Sequence, residues 1–76
     1  MGTMIHRGRE LIRINPDNEQ KLEYSANDGR TWVTRYSSAI CGDFEELLDN
    51  GKEILATTSK GLFFSTNDGR TWAKRH

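Results

Sequence analysis

Two nearly identical octapeptides constrain this chain more than any other feature. Residues 25–32 read Ser-Ala-Asn-Asp-Gly-Arg-Thr-Trp, and residues 65–72 read Ser-Thr-Asn-Asp-Gly-Arg-Thr-Trp. They differ only at Ala26 and Thr66, and they begin 40 residues apart. A long match at a fixed offset indicates an internal structural repeat, in which each copy forms one supersecondary unit. The chain must therefore build the same hairpin twice.

The similarity extends upstream of the octapeptides. Residues 8–12 align with residues 51–55 at an offset of 43, so the first copy carries three additional residues around Pro16. Short alternating or β-branched segments separated by Asn, Asp, Gly and Pro predict strands joined by turns. We therefore predict an all-β fold of two tandem antiparallel β-meander repeats with about seven strands. Within a single domain, residues 1–76, we place repeat one at 5–36, a linker at 37–42 and repeat two at 43–75.

Residues 43–49 fit two kinds of secondary structure. Phe44, Leu47 and Leu48 have the spacing of one helix face, and Asp43 could cap that helix. As a strand, the same segment would lead into the hairpin signal Asn50-Gly51. The repeat favours the strand, because the segment lies where repeat two needs its first strand.

The positions of the octapeptide have structural roles in both copies. The glycine supplies a positive φ, the serine and asparagine side chains bond turn N–H groups, the threonine begins the next strand, and the tryptophan covers the hairpin. The residues assigned to these turns, together with the aspartate, are Ser25, Asn27, Asp28, Gly29, Thr31 and Trp32, and Ser65, Asn67, Asp68, Gly69, Thr71 and Trp72. The alternative, a Ca²⁺ loop, would require about six to eight oxygen ligands, which is more than this turn offers.

The octapeptide resembles the Asp-box, or bacterial neuraminidase repeat, which is written Ser-x-Asp-x-Gly-x-Thr-Trp. The lead-in Gly-Leu-Phe-Phe-Ser at 61–65 is also similar to that family. Asn27 and Asn67 replace the family's aspartate, but asparagine also caps turns. The resemblance implies β-propeller-like blades, with the hairpin between the last two strands of a blade and away from any catalytic centre. It does not imply sialidase activity.

Several observations favour a protein that is not an enzyme. Propellers have typically four to eight blades, so two repeats cannot close one. Sialidase chemistry needs an arginine cluster, a Tyr–Glu pair and an acid in one pocket, and the sequence shows no arrangement that would bring these groups together. Cys41 has no neighbouring histidine and is expected to be a small buried hydrophobe. His6, Cys41 and His76 are too far apart in sequence for metal-site spacing, so we expect neither a metal nor a cofactor.

Composition limits the partners. The 11 Lys and Arg balance the 11 Asp and Glu, which argues against nucleic-acid binding. No apolar run has the length of a membrane span, and residues 1–9 contain no apolar leader. With a single cysteine, these features lead us to expect a cytoplasmic protein. Zero net charge removes a repulsion that opposes self-association, and so short a chain has a small core.

Phe63 is the candidate interface residue. If Leu62 and Phe64 face inward, as their counterparts Leu22 and Tyr24 are expected to do, Phe63 faces outward, where the first copy has a glutamate. An exposed phenylalanine is typical of an interface, although the N-terminal arm or the linker could cover it. Unpaired strand edges also favour association. We therefore expect a homo-oligomer, either a dimer or a ring that completes a propeller.

The leading functional hypothesis is a small non-catalytic binding module that self-associates and binds a protein or a small ligand. The alternative is a glycan-binding, lectin-like module, in which Trp32, Trp72, Tyr36 or Tyr24 would stack on sugars. A third, weaker hypothesis is a degenerate fragment of a larger sialidase-like protein. The octapeptides do not distinguish these hypotheses, because their residues are explained by the turn. We expect the differences between the two copies to carry the function.

Overall fold

A computed structural model describes residues 4–75; residues 1–3 and His76 lie outside the described part. Two four-stranded antiparallel sheets form, and strands that follow each other in sequence are neighbours in each sheet. Sheet one contains β1 (Met4–Arg7), β2 (Glu10–Ile14), β3 (Lys21–Ser25) and β4 (Val33–Ser37). Sheet two contains β5 (Phe44–Asp49), β6 (Ile54–Thr58), β7 (Gly61–Ser65) and β8 (Ala73–Lys74). The predicted fold of two tandem meanders is confirmed, and neither sheet closes into a barrel.

The prediction of about seven strands missed one. The described residues form eight strands, and the additional one is β1, which pairs with β2 across a tight turn at Gly8. Gly8 has a φ of 58°, which glycine adopts at little cost. The four residues of β1 include a histidine and an arginine and are too few to show a clear alternation. Only the pairing with β2 identifies this segment as a strand.

The segment 43–49 contains the strand β5 and no helix, as the repeat predicted. The register of β5 against β6 shifts between Phe44 and Glu46, so Glu45 is an additional residue in a β-bulge. The bulge places Phe44 and Leu47 on the same face of the sheet, and both are buried. The three-residue spacing that resembled a helix is therefore the consequence of the bulge.

The two sheets have the same strand register. Ile12 pairs with Tyr24 in sheet one, and Leu55 pairs with Phe64 at the corresponding positions of sheet two. The pairs of β1 with β2 match those of β5 with β6 in the same way. The repeat therefore covers a complete four-stranded unit and extends well beyond the turn.

The sheets pack on each other through opposite faces of the repeat. Sheet one buries Leu22, which is 0% exposed, whereas its counterpart Leu62 is 39% exposed. Sheet two instead buries the face that carries Phe63, whose counterpart Glu23 pairs with Arg13 away from the core. Each sheet thus has a core face and an outer face, and the core face of one sheet corresponds to the outer face of the other. The two repeats therefore pack face to back: the face that carries Leu22 in sheet one contacts the opposite face, which carries Phe63, in sheet two.

The prediction that Phe63 faces outward is wrong. Its side chain is 5% exposed and belongs to the hydrophobic core. The error came from assuming that equivalent residues of both repeats face the core, which face-to-back packing excludes. Phe63 is consequently no longer an interface candidate. Cys41, by contrast, is fully buried as expected, with its Sγ 3.6 Å from the Tyr36 hydroxyl.

The connection between β4 and β5 is packed against both sheets. The Ser38 N–H donates to the Gln20 carbonyl, and the Phe44 N–H donates to the Glu19 carbonyl at 2.8 Å. Gly42 has a φ of 80° and is buried; a β-carbon there would lie 2.4 Å from Ser59 Oγ. The connection therefore holds sheet two in a defined position on sheet one. Among residues 4–75, the structure has no helix that could cross a membrane.

Candidate interaction surface

Both octapeptide turns are built by the same hydrogen bonds. The Ser25 hydroxyl accepts from the Gly29 N–H at 2.8 Å and donates to Asn27 Oδ1 at 2.7 Å. Asn27 Oδ1 also accepts from the Thr31 N–H at 3.0 Å, and its Nδ2 donates to Thr31 Oγ1 at 2.9 Å. In the second turn the same four bonds measure 2.9, 2.9, 3.0 and 2.8 Å. All the predicted polar roles are therefore filled by contacts within the turn.

The asparagine side chain acts as a donor as well as an acceptor in each turn. Its Nδ2 reaches the threonine hydroxyl, which supports the prediction that asparagine preserves the turn. Asp28 and Asp68 adopt positive φ, 62° and 63°, which was not predicted from the sequence. Aspartate tolerates that region better than most residues. The conformation turns the peptide so that the following glycine can continue it, at φ of 87° and 90°.

The two tryptophans have different surroundings. Trp72 packs on the hydrophobic core, with its ring centroid 5.5 Å from that of Phe44. Trp32 instead lies on the outer face of sheet one, where the Arg13 guanidinium stacks over its ring at 4.1 Å. Both rings lie over their own turn: a β-carbon on Gly29 would be 3.5 Å from the Trp32 ring, and Trp72 Nε1 donates to the Gly69 carbonyl at 3.0 Å. The difference follows from the packing, because the face that carries the tryptophan is buried only in sheet two.

Two arginines of sheet one bind the second turn. Arg35 donates from Nη1 to the Asp68 carbonyl at 2.9 Å and from Nη2 to Glu10 at 2.9 Å, and its guanidinium lies 4.0 Å above the Tyr24 ring. Its side chain is only 4% exposed. Arg7 pairs with Asp49 at 2.7 Å and with the Asp68 carboxylate at 3.0 Å. These contacts join the two sheets at the turn that they cover.

The pKa values of this cluster follow from its geometry. Burial alone would lower the pKa of Arg7, but its hydrogen bonds to Asp68 and Asp49 outweigh burial and raise it. The pKa of Asp49 is lowered, first by the hydrogen bond from the Gly51 N–H at 2.8 Å and further by Arg7, against the opposing effect of burial. These groups line a polar cleft of about 350 Å³. Both charged forms are thus stabilised where the sheets meet.

The arginine at the corresponding position of sheet two builds the same cluster without a partner turn. Arg75 lies 4.2 Å above the Phe64 ring and pairs with Glu53, as Arg35 does with Tyr24 and Glu10. Its side chain is 39% exposed. Within residues 4–75, the guanidinium of Arg75 bonds only to Glu53. An arrangement used inside the chain is therefore repeated on its surface.

The outer face of sheet two is apolar and partly exposed, because Leu55 and Phe64 are half-buried whereas Leu48 and Leu62 are open to solvent. It carries Leu48, Leu55, Thr57, Leu62 and Phe64, which correspond by register to Ile5, Ile12, Ile14, Leu22 and Tyr24 on the core face of sheet one. Leu48 is 57% exposed, and Leu62 is partly exposed as well. Four of the five residues are large and apolar, as on the buried face that they match.

The outer face of sheet one is more polar. It carries Met4, His6, Leu11, Arg13 and Glu23, which correspond to Leu47, Asp49, Ile54, Ala56 and Phe63 on the core face of sheet two. An ion pair between Arg13 and Glu23, 3.0 Å long, stands where sheet two has the apolar pair Ala56 and Phe63. The charges of this face are therefore already paired within it.

No protein-family model, curated protein or solved structure matches this chain. The candidate site accordingly rests on the structure alone. Within the described part of the chain, no group of three or more His, Cys, Asp or Glu residues is placed to hold a metal ion. The sequence predicted the turns but missed the arginine clusters. Their signal was present, since Arg35 and Arg75 lie 40 residues apart and Glu10 and Glu53 lie 43 apart, at the offsets of the repeat.

Proposed function

We propose that the protein is a small non-catalytic β-repeat module that self-associates through the outer face of sheet two and, once assembled, binds a protein or a small ligand. The observation that carries this proposal is the exposure of Leu48 and Leu62 on a face whose counterpart in sheet one is buried. Exposed contiguous apolar surfaces are typical of interaction sites. The resemblance to the Asp-box family is consistent with a blade-like module.

A non-catalytic role is supported by how the polar groups are used. The octapeptide side chains bond to their own turns, and Arg7 pairs with two carboxylates at the junction of the sheets. No buried side-chain nitrogen or oxygen among the described residues lacks a hydrogen-bond partner.

The glycan-binding alternative now depends on Trp32. Trp72 and Tyr36 pack against Phe44, and Tyr24 lies beneath the Arg35 guanidinium, so these three rings already have protein contacts. Trp32 lies outside the core, but Arg13 stacks over its ring. A sugar would have to displace Arg13 or use the edge of the indole.

Light scattering at high micromolar concentration tests self-association. We expect the wild-type protein to have at least twice the 8.7 kDa mass of one chain. Leu62→Glu should reduce the mass to that of one chain, because a charge on an apolar contact surface opposes its burial. Thr66→Glu adds the same charge at an exposed turn position and should leave the mass unchanged. A wild-type protein that stays monomeric, or an unchanged mass for Leu62→Glu, would refute the proposal.

A further inference from the structure

We infer that the partner of the outer face of sheet two is the outer face of sheet one in a second copy of this chain, so that chains associate head to tail. This inference rests on the proposed function and names the occupant of the same surface. Its basis is that the contact between the two sheets of one chain joins two different faces of the repeat. Each chain leaves the complementary pair of those faces uncovered, one on each sheet.

The backbone supports the same contact between chains. Sheets one and two share their register at the paired positions of their strands. The main contacts between strands of the two sheets join β5 to β1 and β2. If β1 of a second chain took the place that β5 occupies within one chain, Met4 and His6 would lie where Leu47 and Asp49 lie now. They would face β5 of the first chain, which carries Leu48.

The arginine cluster supplies a specific polar contact. Arg35 reaches the Asp68 carbonyl in the turn of the next repeat at 2.9 Å, and its Cγ lies close to the position of a β-carbon on Gly69. Arg75 is held by the same two kinds of partner, a glutamate and an aromatic ring. The equivalent acceptor is the Asp28 carbonyl of the second chain. Asp28 is exposed and Asp68 is not, as expected if the second turn is covered within the chain and the first turn is covered only by Arg75 of another chain.

Three differences make the contact between chains weaker than the contact within one. Thr57 replaces Ile14, and the Arg13–Glu23 pair replaces an apolar pair. Asn50 stands where Arg7 would be, so the ion pairs of Arg7 are not repeated. A contact that is less apolar and has fewer ion pairs dissociates more readily. The assembly is therefore expected to be reversible, whereas the two sheets of one chain stay together.

Head-to-tail contacts form either a closed ring or an open filament, depending on the rotation between units. Since blade-like sheets close into propellers of typically four to eight blades, two sheets per chain predict a ring of about two to four chains. A ring leaves no unmatched outer face. Its mass should be constant over a range of concentrations above the dissociation constant, and a mass that grows continuously would overturn ring closure.

Complementation between two blocked variants tests the inference. Leu48→Glu/Leu62→Glu blocks the outer face of sheet two, and Met4→Glu/His6→Glu blocks the outer face of sheet one; Leu48 and Met4 are more than half exposed, and His6 is exposed. We expect each variant to be monomeric, with an unchanged far-UV circular dichroism spectrum. Mixing them restores one intact contact and should give a heterodimer of twice the single-chain mass. In an NMR titration of the ¹⁵N-labelled first variant with the unlabelled second, shifts should be confined to the outer face of sheet one.

The outcomes separate the inference from the proposed function. If the variant blocked on sheet one still assembles like the wild type, the outer face of sheet two binds the same face of a second chain. In that case only the head-to-tail inference is wrong. Two monomeric variants that show no NMR shifts on mixing at millimolar concentration also overturn it. If the variant blocked on sheet two assembles normally, the proposed function falls. Arg75→Ala should raise the dissociation constant about tenfold, whereas Lys52→Ala, at an exposed turn, should not change it.

Discussion

The two sheets of this protein have the same turns and the same register, yet they bury opposite faces. Ser25 and Ser65 bond their turns with nearly equal distances, so the local chemistry of the repeat is the same in both copies. Leu22 is buried, whereas Leu62 at the matching position is exposed. Local hydrogen bonds thus determine how a strand pairs, but the neighbouring sheet determines which face it hides.

Amino-acid exchanges between the copies agree with this difference. The charged pair Arg13 and Glu23 on the outer face of sheet one becomes Ala56 and Phe63 on the core face of sheet two. In the opposite direction, Ile14 becomes Thr57, which is exposed. Burial of an unpaired charge costs several kcal/mol. The loss of both charges therefore indicates the buried face of sheet two more strongly than the exchange of Ile14 for Thr57 indicates its outer face. The exchanged residues therefore show which faces meet.

The largest expected effect compares Leu22→Ala with Leu62→Ala. Leu22 is fully buried, so its truncation should lower the free energy of unfolding by about 2–5 kcal/mol. The same change at the partly exposed Leu62 should cost less than about 1 kcal/mol. Urea unfolding followed by circular dichroism, at a concentration where the chain is monomeric, measures both. Equal losses would contradict the assignment of opposite core faces.

A smaller effect compares Arg35→Ala with Arg75→Ala. Removal of the buried Arg35 leaves Glu10 and the Asp68 carbonyl without their partner, which should cost about 2–3 kcal/mol. Arg75 is more exposed and pairs only with Glu53 among described residues, so its removal should cost less than about 1 kcal/mol in the monomer. Thermal unfolding at low concentration separates the two. A costly Arg75→Ala would show that sheet two depends on this cluster even without a partner.

The smallest effect concerns acid pH and Asp49, whose counterpart in sheet one is His6. The pKa of Asp49 lies below its ordinary value of 3.8 in the folded chain. The carboxylate therefore stabilises the fold above about pH 4, and this contribution is lost as the pH falls through the lowered pKa. Asp49→Asn should be less stable than the wild type at pH 7 and should lose less stability on acidification. Asp17→Asn, in the exposed Pro16 turn, should keep the wild-type profile.

Sequence patterns predicted most of the fold but not the packing of its two halves. The turn roles of the serine and asparagine followed from short-range chemistry, and in both turns their side chains accept from turn N–H groups as expected. Alternation along β7 showed that Leu62 and Phe64 share a face, but it could not show which face is buried. The error at Phe63 came from that gap. Arg35 and Arg7 were missed because their partner Asp68 lies 33 and 61 residues away along the chain.

The buried glycine in the connection between the sheets affects how precisely the number of chains in a ring would be determined. Gly42 fits where a β-carbon would meet Ser59 Oγ, so the angle between the two sheets is determined by a backbone that has little freedom to adjust. In a ring of identical chains, this angle recurs at every subunit, and a small error in one linker is multiplied by the number of linkers. A tightly packed connection thus reduces the angular tolerance of each chain and favours one ring size over its neighbours.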